Sequence, residues 1–304
     1  MMTASDPHDF KGFRSGFIAI LGAPNAGKST LLNRMLGEKI AITSRKPQTT
    51  RNRILGVVHR DSAQLVFIDT PGVHPSETPL NVRIVDTALS ALADVDLVLV
   101  IADAAQPAPA AETYLLQRLE GTGKPTLLAL NKIDRVPKEE LLAQMAVWSA
   151  RRPFEAILTI SALRGLAIDT LLNTMEQHLP EGPPFFPEDT LTDVPERFIV
   201  AELIREKVFR LTGEEIPYAA AVTVEAFKEE RQGGRIRIHA AIHVERGSQK
   251  GIIIGKGGRK LKEIGQAARM DIERLLAAKV YLALFVRVQK NWSRDTRALR
   301  KFGY

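Results

Sequence analysis

The 304-residue chain contains no cysteine. That excludes a disulfide framework, a thiolate metal site and a cysteine nucleophile. It also lacks any apolar run approaching the ~18 residues of a membrane-crossing helix. The longest candidate, Ala88 to Ala102, is interrupted by Asp94 and Asp96 and reads as a helix end followed by the buried strand Leu97-Val98-Leu99-Val100-Ile101. The first fifteen residues mix charge, Pro and Gly without an apolar core, so a flexible tail (1–15) and no signal peptide are expected. No internal repeat is visible. The composition fits a soluble, intracellular protein, and the length suits two cores better than one.

What is present begins with Gly22-Ala23-Pro24-Asn25-Ala26-Gly27-Lys28-Ser29, which fits G-x-x-x-x-G-K-[ST]. It follows the apolar run Phe17 to Leu21 and precedes a predicted helix, Ser29 to Leu36, the strand–loop–helix context that a phosphate loop requires. Backbone N–H groups of such a loop point at a β-phosphate, and the helix N-terminus adds partial positive charge. Lys28 would neutralise the β/γ oxygens and act in catalysis, the Ser29 hydroxyl would ligate Mg²⁺, and Thr30 would close the nucleotide-binding run.

Three further segments select the base. Asp69-Thr70-Pro71-Gly72 ends the apolar run Leu65 to Ile68, which places Asp69 beside the phosphates as a Mg²⁺ partner. Gly72, without a Cβ, lets its amide approach a γ-phosphate. Asn131-Lys132-Ile133-Asp134 ends the run Pro125 to Leu130. Guanine offers N1–H and N2–H₂ donors that one carboxylate accepts together, and adenine has no such pair. Asp134 is therefore the expected base selector, Asn131 a tie between loops and the Lys132 stem a lid over the purine. Ser161-Ala162-Leu163, after Ala156 to Ile160, would offer backbone N–H groups to the guanine O6. Singly these motifs are weak; four in order, each at a strand end, are a strong signal of a GTP site.

The pattern resembles the Ras-like GTPases of the translation-factor class. Val73 follows Gly72 where many members of that class carry a water-orienting glutamine. A valine can neither donate to nor accept from water, so water must be positioned by other means. The resemblance also implies that Asn25 can help bind K⁺, although a polar residue capping its own turn explains it equally well. Ser44-Arg45-Lys46-Pro47-Gln48-Thr49-Thr50-Arg51 reads as a first switch, with Thr50 favoured over Thr49 as the ligand of Mg²⁺ and γ-phosphate. A second switch is expected from Val73 to about Val85.

Charge is unevenly divided. Residues 205–304 hold 22 Lys and Arg against 11 Asp and Glu, a net of +11, whereas the first 204 carry −4. A basic rear half implies a polyanionic partner. Between the halves, Leu179 to Pro195 is proline-dense and cannot continue a helix or an inner strand. Before it, β/α alternation predicts a doubly wound, mostly parallel sheet, with crossover helices over Pro109–Glu120, Lys138–Ala150 and Ile168–His178. After it come a helix (Glu196–Leu211, Ile199, Leu203, Val208 and Leu211 along one side and basic residues elsewhere) and two strands (Tyr218–Phe227, Arg235–Glu245). A helical turn (Ser248–Ile254), the loop Gly255-Lys256-Gly257-Gly258, a helix (Arg259–Lys279) and a strand (Val280–Gln289) complete the set.

That order, with G-x-x-G between the later helices, resembles a smaller α+β KH domain of the prokaryotic type. Such a fold clamps four nucleotides against the glycines and seats bases in an apolar groove. Lys250, Ile254, Gly255, Lys256, Gly257, Gly258, Arg259 and Lys260 are the expected RNA-binding residues. The expected boundaries are a nucleotide domain at 16–179, a linker at 180–195, a KH domain at 196–290 and a tail at 291–304. Together with Ile42-Thr43-Ser44-Arg45-Lys46-Pro47-Gln48-Thr49-Thr50-Arg51 and the ending Asn291 to Tyr304, nearly the whole chain resembles the Era family of bacterial ribosome-assembly GTPases. The resemblance implies GTP hydrolysis, GTP/GDP and Mg²⁺ as ligands, and binding to small-subunit ribosomal RNA near its 3′ end. It further implies a role in 30S maturation, a cytoplasmic location with loose membrane association, a monomer, and no DNA partner. An RNA-modification GTPase, or an RNA-binding scaffold that binds GTP without appreciable hydrolysis, remains open at this point.

Overall fold

The computed structural model describes residues 11–44, 53–73, 92–213, 216, 220–229, 234–292 and 302. The chain divides into two compact units, residues 1–38 with 50–193, and residues 39–49 with 194–304.

The first unit is built on a six-stranded sheet in the order β2-β3-β1-β4-β5-β6, formed by β1 (Arg14–Gly22), β2 (Ile54–Arg60), β3 (Ala63–Asp69), β4 (Leu97–Asp103), β5 (Thr126–Asn131) and β6 (Ala156–Thr159). All neighbours run parallel except β2 with β3, which form an antiparallel hairpin. β1, β3, β4 and β5 are continuous Val/Ile/Leu-rich runs, as strands buried on both faces must be. Helices α1 (Lys28–Leu36), α2 (Pro109–Leu119), α3 (Lys138–Arg151) and α4 (Ile168–Gln177) are the crossovers, each within a residue or two of its predicted span. The β2 strand was not anticipated. It follows a polar stretch read as a switch, and its identity depends on pairing with β3.

The proline-dense segment is held against the first unit. Ser15 N–H donates to the Pro180 carbonyl (3.1 Å), Gly182 N–H to Phe13 (3.0 Å) and Val57 N–H to Leu191 (2.9 Å). Buried Gln64 accepts from the Phe185 and Phe186 amides at 2.7 and 2.9 Å. Proline prevents regular structure here without preventing attachment, because carbonyls and the remaining amides still find partners.

The second unit carries a three-stranded sheet, β7 (Ala221–Glu229), β8 (Arg235–Val244) and β9 (Lys279–Val288), with β7–β8 antiparallel and β8–β9 parallel. Helices α5 (Glu196–Leu211), α6 (Gly247–Ile254) and α7 (Arg259–Leu275) complete it. The last helix stops at Leu275, short of the expected Lys279, because Ala277 adopts a left-handed conformation (φ 48°) and Lys279 already pairs with Arg235. The expectation that α5 is apolar on one side only is corrected. Residues 199–209 are buried all round, including Glu202, Arg205, Glu206 and Lys207.

Ion pairing makes that burial possible. Arg205 donates to Glu202 at 2.5 and 2.7 Å. Glu206 accepts from Lys39 Nζ (2.6 Å), Thr43 N–H (3.1 Å) and Arg210 (2.8 Å). Residues 39–44, placed by sequence at the approach to the first switch, thus belong to the second unit with Ile40, Ala41 and Ile42 buried. Among the described residues, no helix is long and apolar enough to cross a membrane.

Candidate functional site

β1 has β3 on one side and β4 on the other, so the loop after it opens into a crevice at the carboxyl ends of the parallel strands. That loop is Gly22–Ser29. Lys28 is buried and donates its Nζ to the Gly22 and Ala23 carbonyls at 3.1 and 2.9 Å. Burial lowers its pKa to about 8, opposed by the Asp69 carboxylate. Asp69 is fully buried, and burial raises its pKa to about 6 against the pull of Lys28 and of the Ser29 hydroxyl, which donates to Oδ2 at 2.8 Å. The other oxygen of Asp69, Oδ1, is buried without a hydrogen-bond partner among the described residues. An ionised carboxylate with a spare oxygen beside a serine hydroxyl suits a hard, oxygen-seeking cation such as Mg²⁺, which takes few protein ligands when phosphate supplies the rest. Among the described residues no group of three or more His, Asp or Glu gathers to hold a metal by itself.

Thr70 donates to the Ile20 carbonyl (2.7 Å), which turns the chain back towards the loop. Gly72 then passes so near Pro24 that an added Cβ would lie 2.8 Å from its Cα. Glycine is required there by loop packing as well as by any phosphate. Val73 N–H donates to Gly22 (3.0 Å), and its side chain is fully buried with Leu21, Ile68 and Val98. Asn25 is exposed with φ 63°.

Asn131 is the junction. Its Nδ2 donates to the Ala26 carbonyl of the first loop (2.8 Å), and its Oδ1 accepts from the Ala162 amide (2.9 Å). Asp134 sits in a short 3₁₀ turn, Ile133–Arg135, and accepts from Ser161 Oγ at 2.5 Å. Lys132 takes a left-handed conformation (φ 68°) and its ammonium bonds to Asp103. Leu163 is 66 % exposed, and its carbonyl with that of Ala162 accepts from the Arg34 guanidinium at 2.7 and 3.2 Å. Gly22–Thr30, Asp69–Val73, Asn131–Asp134 and Ser161–Leu163 therefore converge on one crevice. Thr49, Thr50, most of the first switch and residues 74–85 of the second lie outside the described residues.

Two participants escaped sequence reading. Asp103 positions Lys132, and Arg34 fixes the 161–163 loop. Asp103 could have been suspected as a carboxylate ending an apolar strand; its register opposite Asn131 was the missing information.

In the second unit, α6 begins with a capping box in which Gln249 Oε1 accepts from the Arg246 amide at 3.0 Å. The Gly255–Gly258 loop follows, with Gly255, Gly257 and Gly258 at φ 68°, 60° and 77°. Lys250, Lys256 and Arg259 are exposed, whereas Ile254 and Lys260 are half-buried. Lys260 bonds to Glu263 at 2.8 Å, so its charge is partly compensated. The expected RNA-binding residues are thus gathered around one turn between α6 and α7.

A phosphate loop, the Asn131–Asp134 loop tied to it and a G-x-x-G unit on one chain define a GTPase with an appended KH module. The family described as 50S ribosome-binding GTPase matches residues 17–132, and the KH domain family matches residues 215–293. The chain is 55 % identical over 294 residues to a GTPase Era of Geotalea uraniireducens, covering 97 % of this chain and 99 % of that one. It is 51 % identical over 292 residues to a GTPase Era of Syntrophus aciditrophicus, covering 96 % and 95 %. The crystal structure of Aquifex aeolicus Era Y63A bound to GDP·AlF₄⁻ superposes with a TM-score of 0.92 at 40 % identity, covering 96 % of this chain and 99 % of that one. An Era in complex with MgGDPNP and nucleotides 1506–1542 of 16S ribosomal RNA matches equally well, with the same identity, coverage and TM-score. The chain belongs to the Era family of GTPases.

Proposed function

We propose that this chain is a GTP-hydrolysing switch that binds small-subunit ribosomal RNA near its 3′ end and assists maturation of the 30S subunit. The observation that carries the nucleotide half is the Asn131 junction, which holds the first loop and the 161–163 loop together beside Asp134. In this reading Lys28 and the Gly72 amide meet the β/γ-phosphates, Ser29, Asp69 and Thr50 hold Mg²⁺, and Asp134 accepts both guanine donors. The buried Val73 supports hydrolysis without a side chain that orients water, with charge supplied by K⁺ near Asn25. Lys250, Ile254 and Gly255–Lys260 receive the RNA backbone, supported by the net charge of the rear half. The protein works as a cytoplasmic monomer, and the same positive charge favours loose attachment to anionic lipid.

The base assignment is tested by Asp134→Asn. The amide presents a donor to guanine N–H groups, so GTP affinity should fall by about 2–4 kcal/mol, on the scale of a lost charge-assisted pair. Xanthosine triphosphate should become the preferred ligand. Equilibrium titration with both nucleotides measures this, and unchanged GTP affinity would remove Asp134 from the base site.

A further inference from the structure

The sheet of the second unit has two unlike faces. One carries Ile236, Ile238, Ile242 and Val286, all buried, and Gly265 of α7 lies against Leu284. The other is set by the register Arg235↔Lys279, Arg237↔Tyr281, His239↔Ala283 and Ala241↔Phe285, with Lys228 opposite Arg237 on the far side. At one end of this outer face Phe302 packs on His243 (4.5 Å between ring centres) and on the fully buried Trp292 (5.3 Å). The other end is open: Tyr281 is 52 % and Phe285 49 % exposed.

Two large rings left half in water on one face of a strand, four residues apart, are costly to expose without a partner. Their neighbours say what partner. Arg237 lies 5.6 Å over the Tyr281 ring, and His239 meets Phe285 edge-on at 6.3 Å. Lys228, Arg235 and Arg237, exposed, and Lys279 and Arg287, at 83 % and 55 % side-chain exposure, surround the rings. The one carboxylate on this face among the described residues, Glu225, is bound by Arg287 at 2.9 Å, while Lys279 reaches Glu273 of α7 at 3.8 Å. An apolar protein partner would have to take the exposed Lys228 and Arg235 out of water along with the rings. A polyanion with flat, stackable groups neutralises the cations and covers the rings together.

We propose that the outer β8–β9 face is a second, base-stacking site for single-stranded RNA, separate from the G-x-x-G loop. Tyr281 and Phe285 each take a base, about 13 Å apart at the rise of a strand, while Arg235, Arg237 and Lys228 follow the phosphates. Because β9 is an edge strand, an RNA held at the loop can pass round it onto this face. The proposal rests on the reading that this unit binds RNA.

The test uses the full chain and two labelled oligoribonucleotides of small-subunit 3′-end sequence, one of about four nucleotides, the length a KH groove clamps, and one roughly three times as long. Wild-type protein should bind the longer one more tightly. Tyr281→Ser with Phe285→Ser should weaken the longer complex about tenfold or more, on the scale of base–aromatic stacking, and leave the short one unchanged, which also reports an intact fold. Tyr281→Phe with Phe285→Tyr keeps both rings and should retain wild-type affinity. Arg235→Gln with Arg237→Gln should flatten the salt dependence of the longer complex by about two charges. If the longer oligonucleotide gains nothing, or the serine pair leaves it unaffected while Gly258→Asp abolishes both complexes, the second site is refuted and the loop reading stands. If wild-type protein binds neither, both fail.

Discussion

Asn131→Ala probes the junction on which the nucleotide site depends. The substitution removes two hydrogen bonds, to the Ala26 carbonyl (2.8 Å) and from the Ala162 amide (2.9 Å). Ala26 and Ala162 are 0 % and 1 % exposed, so water cannot easily replace the lost partner. Each orphaned buried group costs about 1–3 kcal/mol, so the nucleotide-free protein should lose about 2–6 kcal/mol together. For a unit of this size that corresponds to a fall in Tm of about 4–24 °C. The two tryptophans, Trp148 and Trp292, fall one in each unit, so fluorescence in a Trp292→Phe background follows the first unit alone. GTP affinity should fall as well, because the first loop and the 161–163 loop are no longer held in register. Asn131→Asp is the sharper control: it keeps the acceptor for Ala162 but faces a carboxylate at the Ala26 carbonyl, and should be at least as damaging. A Tm within ~1 °C of wild type for Asn131→Ala, with normal GTP affinity, would refute the junction.

Two further outcomes follow from the same crevice. Val73→Ala should cost about 1–3 kcal/mol of stability as a core truncation while leaving single-turnover GTP hydrolysis within a fewfold of wild type. A hundredfold drop with GTP affinity intact would show that Val73 acts on the reacting water. Asp69, raised to about 6 by burial, makes the site pH-sensitive. Between its ordinary 3.8 and about 6 the folded protein holds a proton that the unfolded chain has released, so stability of the nucleotide-free protein falls as pH rises through this window. Mg²⁺ competes for the same carboxylate, so its apparent affinity should weaken about tenfold per unit below pH ~6; a flat calorimetric Mg²⁺ titration from pH 7 to 5 would exclude Asp69 as a ligand.

Local signals made much of this molecule legible. Apolar runs ending in Asp69 and Asn131 marked strand ends, and glycines with Lys28 marked a phosphate loop, because backbone reversal and phosphate recognition need those residue types within a few positions of one another. Helix α5 shows the limit. Its length was evident from its sequence, yet it was expected to have one apolar side with basic residues elsewhere, whereas Arg205, Glu206 and Lys207 are buried. Their burial depends on partners as remote in the chain as Lys39, Thr43 and Asp271. The strand β2 was missed for the same kind of reason, since nothing within it announces that it will pair with β3.

The sequence by itself determined which residues can cradle a phosphate, accept a guanine edge or lie against an RNA backbone. Only the tertiary structure decided which of them meet. Parallel pairing brings Asp103 opposite Asn131 and sets β3, β1, β4, β5 and β6 side by side, so loops far apart in the chain share one crevice. It also decided which face of β8 and β9 the helices cover and which stays open with Tyr281 and Phe285. Chemistry at a strand end is local, whereas the neighbour of that strand is chosen by burial and pairing across the whole chain.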